Sequence, residues 1–111
     1  MEIQVRKDVK GTIVSVSGKM DAVTAPEYEQ KLRQLIDDGE KIFVNDFSGL
    51  AYISSAGLRS ILATAKALKA KDGTLLFCGL TGPVKDVFEI SGFGSLFTFH
   101  DSLASALKNV G

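Results

Sequence analysis

The chain has 111 residues, 45% of them hydrophobic and 23% charged, and its 13 basic side chains balance 13 acidic ones. These values fit one soluble globular domain that buries about two-thirds of the surface of its unfolded chain, which excludes intrinsic disorder. No apolar run is long enough to span a bilayer, and the balanced charge provides no field for a polyanion, so we expect neither membrane insertion nor nucleic acid as a partner.

The N-terminus and the cysteine count predict a cytoplasmic protein. The first residues lack the basic segment, apolar stretch and small-residue cleavage site that a secretion signal would have. Cys78 is the single cysteine and has no partner for an internal disulfide, which is consistent with a reducing compartment.

The first part of the chain predicts a β-hairpin followed by a helix. Residues 3–9 alternate loosely, and residues 12–17 are rich in the β-branched side chains that strands favour. Residues 24–27 have the form of a capping box with Thr24 as the N-cap, and the two acids and glycine at 37–39 supply a helix stop.

Strands and helices then alternate to the end of the chain. Residues 41–47 predict a buried strand that ends at a turn, and a helix follows from Gly57 to residues 71–73. The remaining predicted elements are a strand at 74–78, a helix at 82–90, a strand at 96–100 and a helix capped by Asp101 that runs through Val110. This order predicts a single α/β domain over residues 1–111, with a mixed β-sheet of about five strands and helices packed mainly on one face.

The chain offers little that could form a catalytic or metal-binding centre. His100 is the single histidine and has no partner that would make it a base, while Cys78 lies in an apolar strand and is expected to be inert core. Zinc sites need clustered ligands, and no nucleotide-binding glycine loop is present. We expect no metal, no cofactor and no enzymatic activity; an enzyme would depend on His100, Cys78 or Asp46. A late apolar cluster is predicted to be core, with a modest protein contact patch as the alternative, and consists of Phe93, Leu96, Phe97 and Phe99.

Ser54 and Ser55 lie where the predicted turn meets the helix. Backbone N–H groups at a helix start lack partners within the helix, and the helix dipole is positive there. A serine in this place is commonly a cap, and a phosphate on its hydroxyl would also be well placed. The local pattern leaves both interpretations open.

The stretch from Asp46 to Leu58, DFSGLAYISSAGL, resembles the signature of the STAS domain family, the bacterial anti-sigma factor antagonists or anti-anti-sigma factors. In that family a strand ends in Asp-Leu/Phe-Ser, and an aromatic-aliphatic pair precedes Asp/Ser-Ser-Ser/Thr/Ala-Gly-Leu. Residues 18–21, GKMD, are similar to the family's Gly-x-Leu-Asp turn, and residues 83–88 with 91–93 are similar to its late helix and turn. The resemblance implies a STAS domain over residues 1–111.

The resemblance also implies a protein-binding module of partner-switching signalling. The family's regulatory phosphoserine falls on Ser55. The implied partners are a histidine-kinase-like serine kinase that doubles as an anti-sigma factor, and a PP2C-type phosphatase that removes the phosphate. When unphosphorylated, such a module binds the kinase and releases a client. Where the client is a sigma factor, its release regulates transcription. The alternative is a STAS subunit of a transporter or signalling scaffold without a sigma factor target.

The expected partner-binding residues are Asp21, Thr24, Ser54, Ser55, Ala56 and Gly57. Ser54 stands where many relatives carry aspartate, and Ala56 replaces a second hydroxyl found in some of them, so Ser55 is the expected site and Ser54 its competitor. Gly57 either lets a partner approach closely or simply fits the turn, and Asp21 either contacts the partner or is a turn residue. No uncovered apolar pattern stands out, so a monomer is expected.

Overall fold

In the computed structural model, which describes residues 1–110, strands and helices alternate after an initial hairpin. The strands are β1 (Glu2–Asp8), β2 (Gly11–Met20), β3 (Ile42–Ile53), β4 (Thr74–Cys78) and β5 (Thr98–His100). The helices are α1 (Ala25–Asp37), α2 (Ser55–Lys69), α3 (Gly82–Ile90) and α4 (Leu103–Lys108), and a short 3-10 helix covers Phe93–Ser95. No helix within residues 1–110 is long and apolar enough to cross a bilayer.

The strands form one mixed sheet in which spatial order equals chain order. β1 pairs antiparallel with β2, and the other neighbouring strands are parallel. Parallel neighbours require crossover connections, and these are almost always right-handed. Three successive right-handed crossovers in one direction place α1, α2 and α3 on the same face of the sheet. The predicted α/β class, the mixed sheet of about five strands and the helices mainly on one face are all confirmed.

The face that carries α1, α2 and α3 holds the larger core. At its centre Phe47, Phe77 and Phe88 meet edge to face, with ring centroids 5.4 Å apart for Phe47 and Phe77 and 5.6 Å for Phe77 and Phe88. Such contacts contribute beyond the area they bury. On the opposite face α4 covers a smaller cluster in which Ala106 packs with Val44, Leu76 and Cys78.

Two central strands are longer than the sequence predicts. β3 continues six residues past the expected end at Phe47, and β2 continues past residue 17. The pair stays in parallel register to Met20 and Ile53, with irregularities at 15–17 and 18–19. The sequence places Gly49 in the turn after the predicted strand, but in the structure it lies within β3. A Cβ there would lie 2.8 Å from Ser17 Cβ, so the glycine lets the two strands approach closely.

One predicted helix cap and two predicted helix starts differ in the structure. Thr24 stands at the N-cap position of α1 but makes no side-chain cap hydrogen bond, because its hydroxyl bonds within the preceding loop. α2 begins at Ser55, two residues before Gly57. Ser102, not Asp101, caps α4 through a hydrogen bond from the Ser105 N–H at 3.1 Å.

The late apolar cluster is core apart from one member. Phe93 is buried, and Phe97 and Phe99 pack against Phe77 with centroids at 5.2 and 5.5 Å. Leu96 is 61% exposed, so its assignment to the core was wrong. It follows the 3-10 helix instead of opening β5, which begins only at Thr98.

A buried polar pair ties α1 to the middle of the sheet. The Tyr28 hydroxyl donates to Asn45 Oδ1 at 2.8 Å, and Asn45 Nδ2 donates to the Leu76 carbonyl at 3.3 Å. Tyr28 and Asn45 are both fully buried. Burial raises the pKa of Tyr28, against a smaller opposing effect of its bond to Asn45, so the phenol stays a neutral donor.

Replacing Tyr28 with phenylalanine should destabilise the fold, because Asn45 Oδ1 would lose its donor in a buried place. We expect Tyr28→Phe to lower the free energy of unfolding by about 1–3 kcal/mol in urea denaturation. The double variant Tyr28→Phe/Asn45→Leu should lose less than Tyr28→Phe alone, because it removes the orphaned acceptor as well.

The matched control is Tyr52→Phe, since Tyr52 is 47% exposed. Its effect should stay within about 0.5 kcal/mol, as for most surface substitutions. Equal losses for Tyr28→Phe and Tyr52→Phe would contradict the role assigned to the buried pair.

Candidate functional site

The two adjacent serines occupy different structural positions at the end of β3. Ser54 is the N-cap of α2, with extended backbone angles (φ −97°, ψ 174°), and its Oγ accepts a hydrogen bond from the Gly57 N–H at 3.3 Å. This bond satisfies one of the amides that a helix start leaves without an internal partner. The Ser54 hydroxyl is therefore used in holding the helix start.

Ser55 is the first residue of α2, and its side chain is exposed. The backbone amides of Ser55 and Ala56 belong to the first helical turn, where N–H groups have no acceptor within the helix. That turn carries no acidic side chain, and the exposed Arg59 follows four residues later, on the same side of the helix. The surroundings of the Ser55 hydroxyl therefore favour negative charge.

Gly57 is buried and lets α2 begin close against the strands. A Cβ at this position would lie 2.7 Å from Ile53 Cγ1 and 3.1 Å from Met20 Cγ and from the Met20 carbonyl oxygen. The contact with two strand ends gives the glycine a packing role. A direct contact between Gly57 and a partner stays a prediction.

The loop between β2 and α1 joins the site through the backbone. Ser54 N–H donates to the Met20 carbonyl at 2.9 Å, which places the residues after Met20 beside the start of α2. In that loop Asp21 Oδ1 accepts hydrogen bonds from the Val23 N–H at 3.0 Å and the Thr24 N–H at 3.1 Å. These two bonds, of which the one from Thr24 has the larger effect, hold the pKa of Asp21 below its usual value, so the carboxylate is charged at neutral pH.

Thr24 stabilises the same loop from the other end. Its hydroxyl donates to the Lys19 carbonyl at 2.8 Å and accepts from the Asp21 N–H at 2.9 Å. Asp21 and Thr24 therefore form a closed network of hydrogen bonds, and both are half-buried. The structure thus brings the β2–α1 loop and the Ser54–Gly57 turn together, as the site prediction requires.

Two exposed apolar side chains border this site and were not among the predicted binding residues. Val23 is 81% exposed on the β2–α1 loop, and Tyr52 is 47% exposed near the end of β3. Val23 stands in a turn between Asp21 and Thr24, outside the apolar pattern of the neighbouring strand and helix. An apolar residue in such a turn was the only sign in the sequence that its side chain would be exposed.

The remaining reactive side chains lie elsewhere. Cys78 is buried on β4, as predicted, and burial together with the nearby charge of Asp46 raises the pKa of its thiol to about 11. His100 lies on β5 beside Cys78. Within residues 1–110, no group of three or more His, Cys, Asp or Glu side chains is arranged to hold a metal ion. The loop site, in contrast, offers one exposed hydroxyl at the start of a helix.

Comparison with known proteins agrees with this architecture. The family model for the STAS domain matches residues 1–106. BtrV of Bordetella bronchiseptica, named as an anti-sigma factor antagonist, is 42% identical over 94 residues, which are 85% of this chain and 81% of that protein. The anti-sigma-B factor antagonist of Staphylococcus aureus is 32% identical over 83 residues, which are 75% of this chain and 77% of that protein.

Solved structures show the same fold along nearly the whole chain. An anti-sigma factor antagonist from Mycobacterium paratuberculosis superposes with a TM-score of 0.88 at 29% identity, covering 98% of this chain and 92% of that one. The unphosphorylated form of the anti-sigma factor antagonist SpoIIAA superposes with a TM-score of 0.84 at 20% identity, covering 98% and 96% of the two chains. The chain therefore belongs to the STAS domain family, in which the relatives named here are anti-sigma factor antagonists.

Proposed function

We propose that this protein is a cytoplasmic anti-sigma factor antagonist that acts by binding and is switched by phosphorylation of Ser55. In its unphosphorylated form it binds an anti-sigma factor that is also a serine kinase, and so releases a sigma factor or another client. A PP2C-type phosphatase restores the binding form. The observation that carries the proposal is the division of the serine pair, in which Ser54 caps α2 while Ser55 stands exposed beside it.

A phosphate on Ser55 changes the surface more than it changes the fold. It adds about 1.5 to 2 negative charges and three acceptor oxygens where the partner would meet a neutral hydroxyl. If charge repulsion and desolvation together cost about 3 kcal/mol, binding weakens about 100-fold. The switch therefore needs no rearrangement of the sheet.

The start of α2 can accommodate this charge within the folded protein. The free amides of the first turn and the positive end of the helix dipole favour a phosphate, and Arg59 lies one turn away. SpoIIAA, whose similarity at 19% identity concerns the fold alone, has a solved phosphorylated form that superposes with a TM-score of 0.77. That structure supports the compatibility of this fold with a phosphate.

The docking surface that we assign comprises the Ser54–Gly57 turn and the β2–α1 loop with Asp21 and Thr24. Val23 and Tyr52 add exposed apolar area beside these polar groups. Apolar side chains contribute most to affinity when a partner buries them completely, whereas a charge at the rim mainly directs the encounter. Val23 and Tyr52 are therefore the proposed anchors, and the Asp21 carboxylate contributes to partner choice.

The site assignment predicts that Ser55→Ala abolishes phosphorylation by the cognate kinase and ATP. Loss of the phosphate mass increment in intact-mass spectrometry would be the expected result, because the exposed hydroxyl is gone. Ser54→Ala is the matched control: it should still be phosphorylated, and it should lose about 1 kcal/mol of stability because the cap is removed. Full phosphorylation of Ser55→Ala would disprove the assignment.

The charge mechanism predicts that Ser55→Glu weakens binding to the anti-sigma factor, while Ser55→Gln of nearly the same size weakens it less. Because glutamate carries one charge, it should raise the dissociation constant less than phosphate does, by about tenfold. Titration calorimetry with the purified anti-sigma factor measures both variants. Equal losses for Glu and Gln would indicate that size, rather than charge, disturbs the interface.

A further inference from the structure

The sheet ends at a strand whose outer edge has no partner within residues 1–110. β1 is seven residues long and pairs only with β2, at one end of the strand order. In an antiparallel pair, every second residue turns its N–H and C=O away from the neighbouring strand. A long open edge of this kind is a template for another strand.

The side chains of β1 alternate between the two faces of the sheet. Ile3 and Val5 are half-buried and share the face that carries α1 and α2, whereas Glu2, Gln4 and Arg6 are exposed on the other face. Lys7 already pairs with Glu40 at 3.1 Å, but Arg6 forms no ion pair within residues 1–110. On this exposed face Glu2 and the unpaired Arg6 stand on either side of Gln4, and a second acid, Asp8, ends the strand.

We propose that two copies of this chain pair through β1 in antiparallel orientation, about a two-fold axis at Gln4. In this register Glu2 faces Arg6 of the second copy, Ile3 faces Val5, and Gln4 faces Gln4. Symmetry repeats the first two contacts, so the edge is complementary to itself in charge and in shape. The result is a continuous ten-stranded sheet in which α1, α2 and α3 of both copies lie on the same face.

Neighbouring registers lack this complementarity. In a continuous sheet, residues that face each other across the two strands must have their side chains on the same face. The two-fold axis therefore passes through a residue, and the alternative registers place it at one of the neighbouring residues. An axis at Ile3 would set Glu2 against Gln4. An axis at Val5 would set Glu2 against Asp8 and Ile3 against Lys7, which opposes two acids. The axis at Gln4 alone matches both the charged and the apolar positions.

The association is weak, because one strand edge buries much less than the area of a stable dimer. The monomer expected from the sequence is then the form at low concentration, and the dimer forms as concentration rises. Charges on an edge strand ordinarily discourage pairing with foreign strands. Here the same charges permit pairing with a second copy in one register, which goes beyond the proposed function and does not depend on it.

Charge reversal on β1 tests both the pairing and its register. Glu2→Arg alone would oppose arginine to arginine twice, and Arg6→Glu alone would oppose glutamate to glutamate twice. Each single variant should raise the dimer dissociation constant at least about tenfold in sedimentation equilibrium. An equimolar mixture of the two variants should associate again as a heterodimer, because every arginine then meets a glutamate.

The exposed Lys31 on α1 supplies the control, since Lys31→Glu changes charge away from the edge and should leave association unchanged. Unaltered urea transitions would show that the β1 variants are folded, and their phosphorylation at Ser55 should persist. A wild-type chain that stays monomeric at millimolar concentration overturns the proposal. Stronger association of Glu2→Arg alone would also overturn it, because that result belongs to the axis at Val5.

Discussion

The close junction between the ends of β2 and β3 and the start of α2 is the constraint on which the rest of the site depends. The Ser54 N–H donates to the Met20 carbonyl, and Gly57 lies so close to Ile53 that a Cβ would not fit between them. Because the Ser54–Met20 bond joins backbone atoms and the Gly57 backbone packs against the Ile53 side chain, the position of Ser55 relative to the β2–α1 loop follows from the sheet and this close packing. The Ser55 hydroxyl thus has a fixed place beside that loop.

The sequence predicts the fold class well because its signals are local. Apolar runs, glycines and helix-capping residues recur in an order that predicts a hairpin followed by crossover units, and the sheet has that topology. The extension of β3 to Ile53 was missed because Ser48 and Gly49 have the composition of a turn. Gly49 instead pairs closely with Ser17 of β2, a contact that no local pattern contains.

The position of the turn along the chain was predictable from the sequence, but the different structural positions of its two serines were not. The motif from Asp46 to Leu58 identifies the turn, yet Ser54 and Ser55 are the same residue type in adjacent places. Only the backbone path shows that Ser54 caps the helix and Ser55 faces solvent. Likewise Thr24 resembles a cap in sequence, whereas its hydroxyl closes the loop onto Lys19 and Asp21. Such choices between competing hydrogen bonds depend on tertiary geometry.

Under the proposed function, phosphate on Ser55 weakens partner binding through its charge, without a rearrangement of the sheet. The most direct measurement is titration calorimetry of the anti-sigma factor with two preparations of this chain, one unmodified and one fully phosphorylated at Ser55. We expect a dissociation constant about 100-fold larger for the phosphorylated form, equivalent to about 3 kcal/mol. Equal dissociation constants for the two forms would contradict it.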